Sequence, residues 1–354
     1  MANLGGDAWE ITTVAPEFIH GDLRPLSLRR DSEDITGIEA IPVYFSQKIH
    51  FMVYGLRLRE VLSSNWDLVH SWQEPYIFSG TQIAFWKPDR TPLVFFTAQN
   101  DSKDYPLPFN WLEQYAMERA AGWICCGQLG LDALSDRPNY NKPVRIIPHG
   151  VDISHFHPNP DMRLDTLRSL GWEENMPVVG YLGRFVPEKG LHLLMEALTQ
   201  IDLPWRALFV GTGAMEVDLH QWAKPYGDRI RICTDVKHND VPQYLNAMDM
   251  LCAPSQTVFN WREQFGRMLV EAFACGVPVI GSDSGEIPYV IGDSGIVVGE
   301  KDTQGWVSAI SNLLDSPVKR SELSVMGIER ARTKFSWAIV AKQHLEFFDQ
   351  LIHD

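Results

Sequence analysis

Two glutamates, Glu263 and Glu271, flank a stretch in which Phe265, Met268, Leu269, Ala272 and Phe273 fall at i, i+3, i+4, i+7 and i+8. That spacing predicts a helix with one face in a core. Gly276 follows as a C-terminal cap, Pro278 cannot continue the helix, and Val277, Val279 and Ile280 read as a short buried strand. At about 1.5 Å rise per residue, the carboxylates stand roughly 12 Å apart along the helix. A nucleotide sugar suits that distance. Glu263 would accept from sugar hydroxyls and Glu271 from the ribose diol, with the diphosphate beside the helix start at Gly266 and Arg267, where N–H groups are unpaired and the dipole favours an anion. The alternative, two solvated helix residues, fits poorly with the apolar flanks of the segment.

Arg184 and Lys189 form a second candidate group. Residues 178–182 read as a strand, so Gly183, Arg184 and Lys189 lie at its carboxyl end, just ahead of a helix predicted over 190–199. A diphosphate would bind there; two surface cations on a loop is the other reading. A third set ends two further strands, where open parallel sheets expose their functional edge. His70 closes the strand at 68–71, as substrate contact or as a core histidine, and Gln99 and Asn100 follow the strand at 92–97, as substrate contacts or as loop caps.

The segments EQFGRMLVEAFACGVPVIGSDSGEIP and YLGRFVPEKGLHLLMEAL resemble the Glu-x7-Glu signature and second hallmark of glycosyltransferase family 4, and the likeness extends over residues 66–347. The resemblance implies a GT-B fold: α/β, with two Rossmann-like, doubly wound parallel-sheet domains facing a cleft. It implies a retaining, metal-independent glycosyltransferase of hexosyltransferase type, with a nucleoside diphosphate sugar as donor substrate and no cofactor. The acceptor, a glycan, a lipid-linked group or a small molecule, stays open. By the same resemblance Glu263, Arg184 and Lys189 are catalytic. Gly183, Val236, Lys237, Phe265, Gly266, Arg267 and Glu271 bind the donor, the backbone at Val236 and Lys237 facing the nucleobase, and His70, Gln99 and Asn100 lie toward sugar and acceptor. Many members carry a histidine where this chain has Gln99. Since the leaving phosphate oxygen itself takes the acceptor proton, no general base is needed. A non-catalytic nucleotide-sugar-binding protein, or a GT-B epimerase or hydrolase, are the rival readings.

The elements that must position these residues follow from the rest of the chain. With 354 residues, 45% of them hydrophobic, the chain supports two domains. The expected division is 1–157 for an acceptor-side domain, onto which a C-terminal helix at 337–354 packs back, and 158–336 for the nucleotide-sugar domain. HGVDISHFHP reads as the hinge, with His149, Gly150 and Asp152 where the domains meet. Strand and helix alternate through the second domain, the pattern of a parallel sheet. Gly211-Thr212-Gly213 is not completed to a dinucleotide fingerprint, and no GxxxxGK[ST] loop is present.

A formal net charge of -14 repels phosphate backbones and anionic lipid, so nucleic acid is not an expected partner and peripheral membrane contact has no support from charge. The five cysteines show no metal-ligand spacing and read as reduced core thiols; with no run of eighteen apolar residues and no signal pattern, a cytoplasmic protein without metal is expected. Residues 1–14 read as a helix remnant, a Gly-Gly turn and a strand at 9–14. The family opens with a strand, a Gly-rich loop and a full helix. Either the chain starts upstream, or the first domain lacks one strand and a wall of its donor site. Residues 21–39 are polar and read as a surface excursion.

Overall fold

Short apolar runs of three to five residues, too short and too uniformly apolar to show a period, are what a parallel sheet covered on both faces requires. The structure, a computed structural model, describes residues 1–21, 25–28, 37–137 and 140–353. It divides into two compact units, Met1–Pro148 with Val340–Asp354, and His149–Ile339.

In the first unit, β1 (Thr12–Pro16) pairs in parallel with β2 (Gly37–Ile41). A separate parallel sheet holds β3 (Val69–Ser71), β4 (Leu93–Thr97), β5 (Gly122–Cys125) and β6 (Val144–Ile146) in the order β6-β5-β4-β3. Every residue of β4 is buried. Leu93 and Phe95 share a core with Trp123, Leu58 and Ile83 on one face, while Val94 and Phe96 pack with Ile124, Phe347 and Phe348 on the other. The last two belong to the C-terminal helix Trp337–His353. The strand expected over 9–14 begins only at Thr12, because residues 2–8 form short helical turns and Trp9 instead tilts against Phe348. Of the excursion expected at 21–39, residues 22–24 and 29–36 lie outside the described residues, and Gly37 already starts β2.

The second unit has one six-stranded, all-parallel sheet: β7 (Val178–Leu182), β8 (Arg206–Val210), β9 (Ile230–Cys233), β10 (Met250–Ala253), β11 (Val279–Ser282) and β12 (Ile296–Val298), in the order β9-β8-β7-β10-β11-β12. The order reverses between β7 and β10, and the carboxyl ends of two such strands are where open α/β sheets form a crevice for ligands. The unit begins at His149, not after residue 157 as the sequence suggests. Val151 bridges Ser336 and its N–H donates to the Phe335 carbonyl, while a Cβ on Gly150 would meet the Trp337 ring at 2.4 Å. Residues 149–157 are therefore built into the second unit. Among the described residues no helix is long and apolar enough to cross a membrane.

Candidate active site

The loops leaving β7 and β10 meet at the switch point. A Cβ on Gly190, at the end of the β7 loop, would lie 1.8 Å from the carbonyl oxygen of Pro254, the residue after β10. Gly183 leaves β7 with its N–H on the Val210 carbonyl, and the Tyr181 hydroxyl donates to the Arg184 carbonyl at 2.7 Å, fixing the turn from which Arg184 projects. Arg184 is partly exposed, 4.0 Å from Glu188. Lys189 closes a 3-10 turn at Pro187–Lys189 and points inward: Nζ lies 2.5 Å from Glu263 Oε2 and 4.8 Å from the centre of the Trp261 ring. The same Oε2 accepts from Ser255 Oγ at 2.9 Å. Glu263 and Ser255 are both buried.

The backbone behind Glu263 is fixed as well. The Glu286 N–H donates to its carbonyl at 3.0 Å, and Gly285, at φ +57, passes so close that a Cβ there would stand 1.9 Å from that carbonyl oxygen. Gly285 in SDSG is a packing requirement, since only glycine accepts both the φ and the contact. Gly211 plays the same part between the β7 and β8 loops, where its Cβ would fall 1.8 Å from the Gly183 carbonyl oxygen. GTG here is a close backbone crossing and not a fragment of a phosphate loop.

The structure corrects the helical spacing. Gly266 is left-handed at φ +78, and the helix runs only over Arg267–Ala274. Glu263 and Phe265 precede it, so helical rise does not measure the Glu263–Glu271 separation. Lys189 and Ser255 both hold Glu263 through its Oε2 atom. Phe265, expected on the donor, is a core residue: it is 3% exposed and packs against His149 and Phe335. Glu271 faces neither open solvent nor a strong partner. It is buried, with Arg267 at 3.7 Å, and burial pushes its carboxyl up to about 7, the guanidinium only partly opposing this. His149 sits near the same guanidinium and is pushed down to about 4, by burial first and by Arg267 second. Val236 packs partly against the core and Lys237 is exposed on the loop after β9, with Asp235 left-handed at φ +57 before them.

In the first unit His70 packs against Phe348 and His344, and its ring is pushed down to about 3 by burial first and by His344 second. Gln99 caps its own loop, receiving its position from the Thr97 hydroxyl, and Asn100 is buried. The more unusual neighbour is Glu74, a residue that sequence reading missed. It follows β3, accepts from the Thr97 hydroxyl at 2.8 Å and the Ala98 N–H at 3.0 Å, and is pushed up to about 7, chiefly by burial. It lines a cavity of about 20 Å³ with Gln99, Tyr105 and Arg137, room for about one water. A carboxylate followed by Pro75, just past the carboxyl end of β3, was the available signal.

Sequence comparison matches the profile described as "Glycosyltransferase Family 4" to residues 9–155 and that described as "Glycosyl transferases group 1" to residues 163–333. The chain belongs to glycosyltransferase family 4. Among curated relatives of this family 4 chain, the lipopolysaccharide core biosynthesis mannosyltransferase LpsB of Rhizobium meliloti is 28% identical over 354 residues, 93% of this chain and 95% of LpsB. A GDP-mannose-dependent monoacylated α-(1-6)-phosphatidylinositol monomannoside mannosyltransferase of Corynebacterium glutamicum is 29% identical over 204 residues, 56% of this chain and 54% of the relative. The chain thus spans about half the length of that relative and nearly all of LpsB. Among solved structures, Anabaena HepE in complex with UDP superimposes with a TM-score of 0.73 at 21% identity, covering 89% of this chain and 86% of HepE. Sucrose-phosphate synthase from Thermosynechococcus elongatus gives 0.70 at 20% identity, covering 99% and 91%. The family 4 chain therefore has the GT-B α/β fold, and Ser255 and Trp261 join the residues its signature implies, as partners of Glu263 and Lys189.

Proposed function

We propose that this protein transfers a sugar from a nucleoside diphosphate sugar to an acceptor hydroxyl, with retention of anomeric configuration. The observation that carries the reading is the group at the β7/β10 switch point: Arg184 and Lys189 on one loop, Glu263 bound to Lys189, and the helix Arg267–Ala274 starting four residues after Glu263. Cations and unpaired helix N–H groups at one sheet edge suit a diphosphate, and the exocyclic charge that builds as it leaves. In this reading Arg184 and Lys189 meet that charge without a metal, Glu263 holds Lys189 in place and meets the sugar, and Glu271 meets the ribose.

The bond from the anomeric carbon to the phosphate oxygen breaks, the acceptor oxygen bonds to that carbon on the same face, and the acceptor proton passes to the departing phosphate oxygen. The test is nucleotide release from UDP- and GDP-sugars with and without a panel of acceptor glycans and glycolipids. Acceptor-dependent release with a product of the donor's anomeric configuration supports the proposal. Release at the same rate without acceptor would mean hydrolysis, and an inverted product would overturn the stereochemistry.

A further inference from the structure

The segment Glu74-Pro75-Tyr76, just past β3, is seated firmly on the helix Phe78–Trp86 that follows it. A Cβ on Gly80 of that helix would lie 2.1 Å from the Glu74 carbonyl oxygen, and the Thr81 hydroxyl donates to the Pro75 carbonyl at 3.1 Å. Backbone packed this closely has little room to shift.

From that seat two side chains reach the loop that leaves β4. Glu74 takes the start of the loop, its Oε2 accepting from the Thr97 hydroxyl at 2.8 Å and its Oε1 from the Ala98 N–H at 3.0 Å. The Thr97 hydroxyl oxygen in turn accepts from the Gln99 N–H at 3.1 Å, so the carboxyl and the Gln99 backbone are two hydrogen bonds apart. Tyr76 takes the far end: its ring stacks on Tyr105 with centroids 4.2 Å apart and planes 16° from parallel. Arg137 covers the Tyr105 ring, 5.1 Å from its centre, and donates to the Lys103 carbonyl. The residues between Ala98 and Tyr105 are therefore held at both ends by one short, rigid segment of the neighbouring strand's exit. Burial pushes the Glu74 carboxyl up to about 7, a penalty that an apolar contact at the same place would not carry.

We propose that Glu74 and Tyr76 are positioning residues, which fix the loop after β4 so that Gln99 is presented to the acceptor in one conformation. The proposal rests on the transferase reading above, in which Gln99 lies toward the acceptor. Glu74 acts through the backbone at Thr97, Ala98 and Gln99, and Tyr76 through Tyr105; neither is assigned a contact with substrate.

The test compares the wild type with Glu74→Ala, Glu74→Gln, Tyr76→Ala and Tyr76→Phe, using an acceptor that the wild type accepts from the panel above. The readouts are acceptor KM, kcat, UDP and GDP affinity by titration, melting temperature, and amide hydrogen exchange at Ala98 and Gln99. Both alanine variants are expected to raise the acceptor KM at least about tenfold while kcat and nucleotide affinity stay within about twofold of the wild type, because only the presentation of the acceptor contact is lost. Exchange at Ala98 and Gln99 is expected to quicken at least about tenfold in Glu74→Ala. A glutamine oxygen still accepts from the Ala98 N–H and a phenylalanine ring still stacks on Tyr105, so Glu74→Gln and Tyr76→Phe are expected to keep the acceptor KM near that of the wild type. A wild-type acceptor KM in both alanine variants overturns the proposal. So does a joint loss of acceptor affinity, nucleotide affinity and melting temperature, which is what a merely structural role would give. Should the wild type use no acceptor, the transferase reading fails, and exchange alone decides the grip on the loop: faster exchange in Glu74→Ala supports it, and unchanged exchange overturns it.

Discussion

Removing Lys189 takes the cation away from a buried carboxylate. Lys189 Nζ and Glu263 Oε2 are 2.5 Å apart, and their side chains are 13% and 8% exposed. At that distance, with an effective dielectric of about 20, the attraction is roughly 6–7 kcal/mol. Taking both ions out of water costs several kcal/mol each, so the intact pair adds little net stability. Breaking it is different. In Lys189→Met, Glu263 loses its cationic partner while the Ser255 hydroxyl still donates to it, and the expected loss is about 3–5 kcal/mol, a drop on the order of 10 °C in melting temperature. The double variant Lys189→Met/Glu263→Gln removes both charges and is expected to recover most of that loss. Chemical denaturation of the wild type, the single variants Lys189→Met and Glu263→Gln, and the double variant gives the coupling directly. Additive losses in the double variant would refute the reasoning, and would mean that the two groups do not form a desolvated pair in solution.

Arg184 is partly exposed and makes only a long contact with Glu188, so Arg184→Ala should leave the melting temperature unchanged while turnover falls by about 10² to 10³, the range for one preorganised donor at a developing anion. Glu271 has a carboxyl pushed up to about 7 from an ordinary value near 4.5, so folding favours its protonated form. Its contribution is therefore fully present below about pH 4.5 and is lost as pH rises through 7; Glu271→Gln should remove that decline, gaining about 3 kcal/mol over the wild type above pH 7 by denaturation, while weakening nucleoside diphosphate binding by titration. Gly285→Ala forces a Cβ against the Glu263 carbonyl at a positive φ, and is expected to lower stability by at least about 2 kcal/mol and to reduce turnover more than stability alone explains; wild-type activity in that variant would show that Glu263 can move freely.

Much of the second unit could be read from the chain. The helix face of Met268, Leu269, Ala272 and Phe273, the Gly276 cap and the strand that follows are local signals with a period or a breaker. β9, β10 and β12 were not legible, because Ile230–Cys233, Met250–Ala253 and Ile296–Val298 are runs of three or four residues, and those of β10 are all buried, with no alternation to count. Glu263 was recognised but its surroundings were not. Its partners Lys189 and Ser255 arrive from two other loops, and Gly266 breaks the helix ahead of it, a fact of backbone conformation that residue spacing does not carry. Glu74 escaped notice for a related reason, since the groups that donate to it, the Thr97 hydroxyl and the Ala98 N–H, lie at and just past the end of the next strand.

Isothermal titration of UDP and GDP into the wild type, Arg184→Ala and Lys189→Met/Glu263→Gln tests the central claim most directly, because it asks whether the switch-point cations hold a diphosphate. Binding of at least one nucleotide to the wild type, weakened at least about tenfold in both variants while both stay folded, is the result this account predicts. Equal affinity in all three proteins, or binding of neither nucleotide to the wild type, would contradict it.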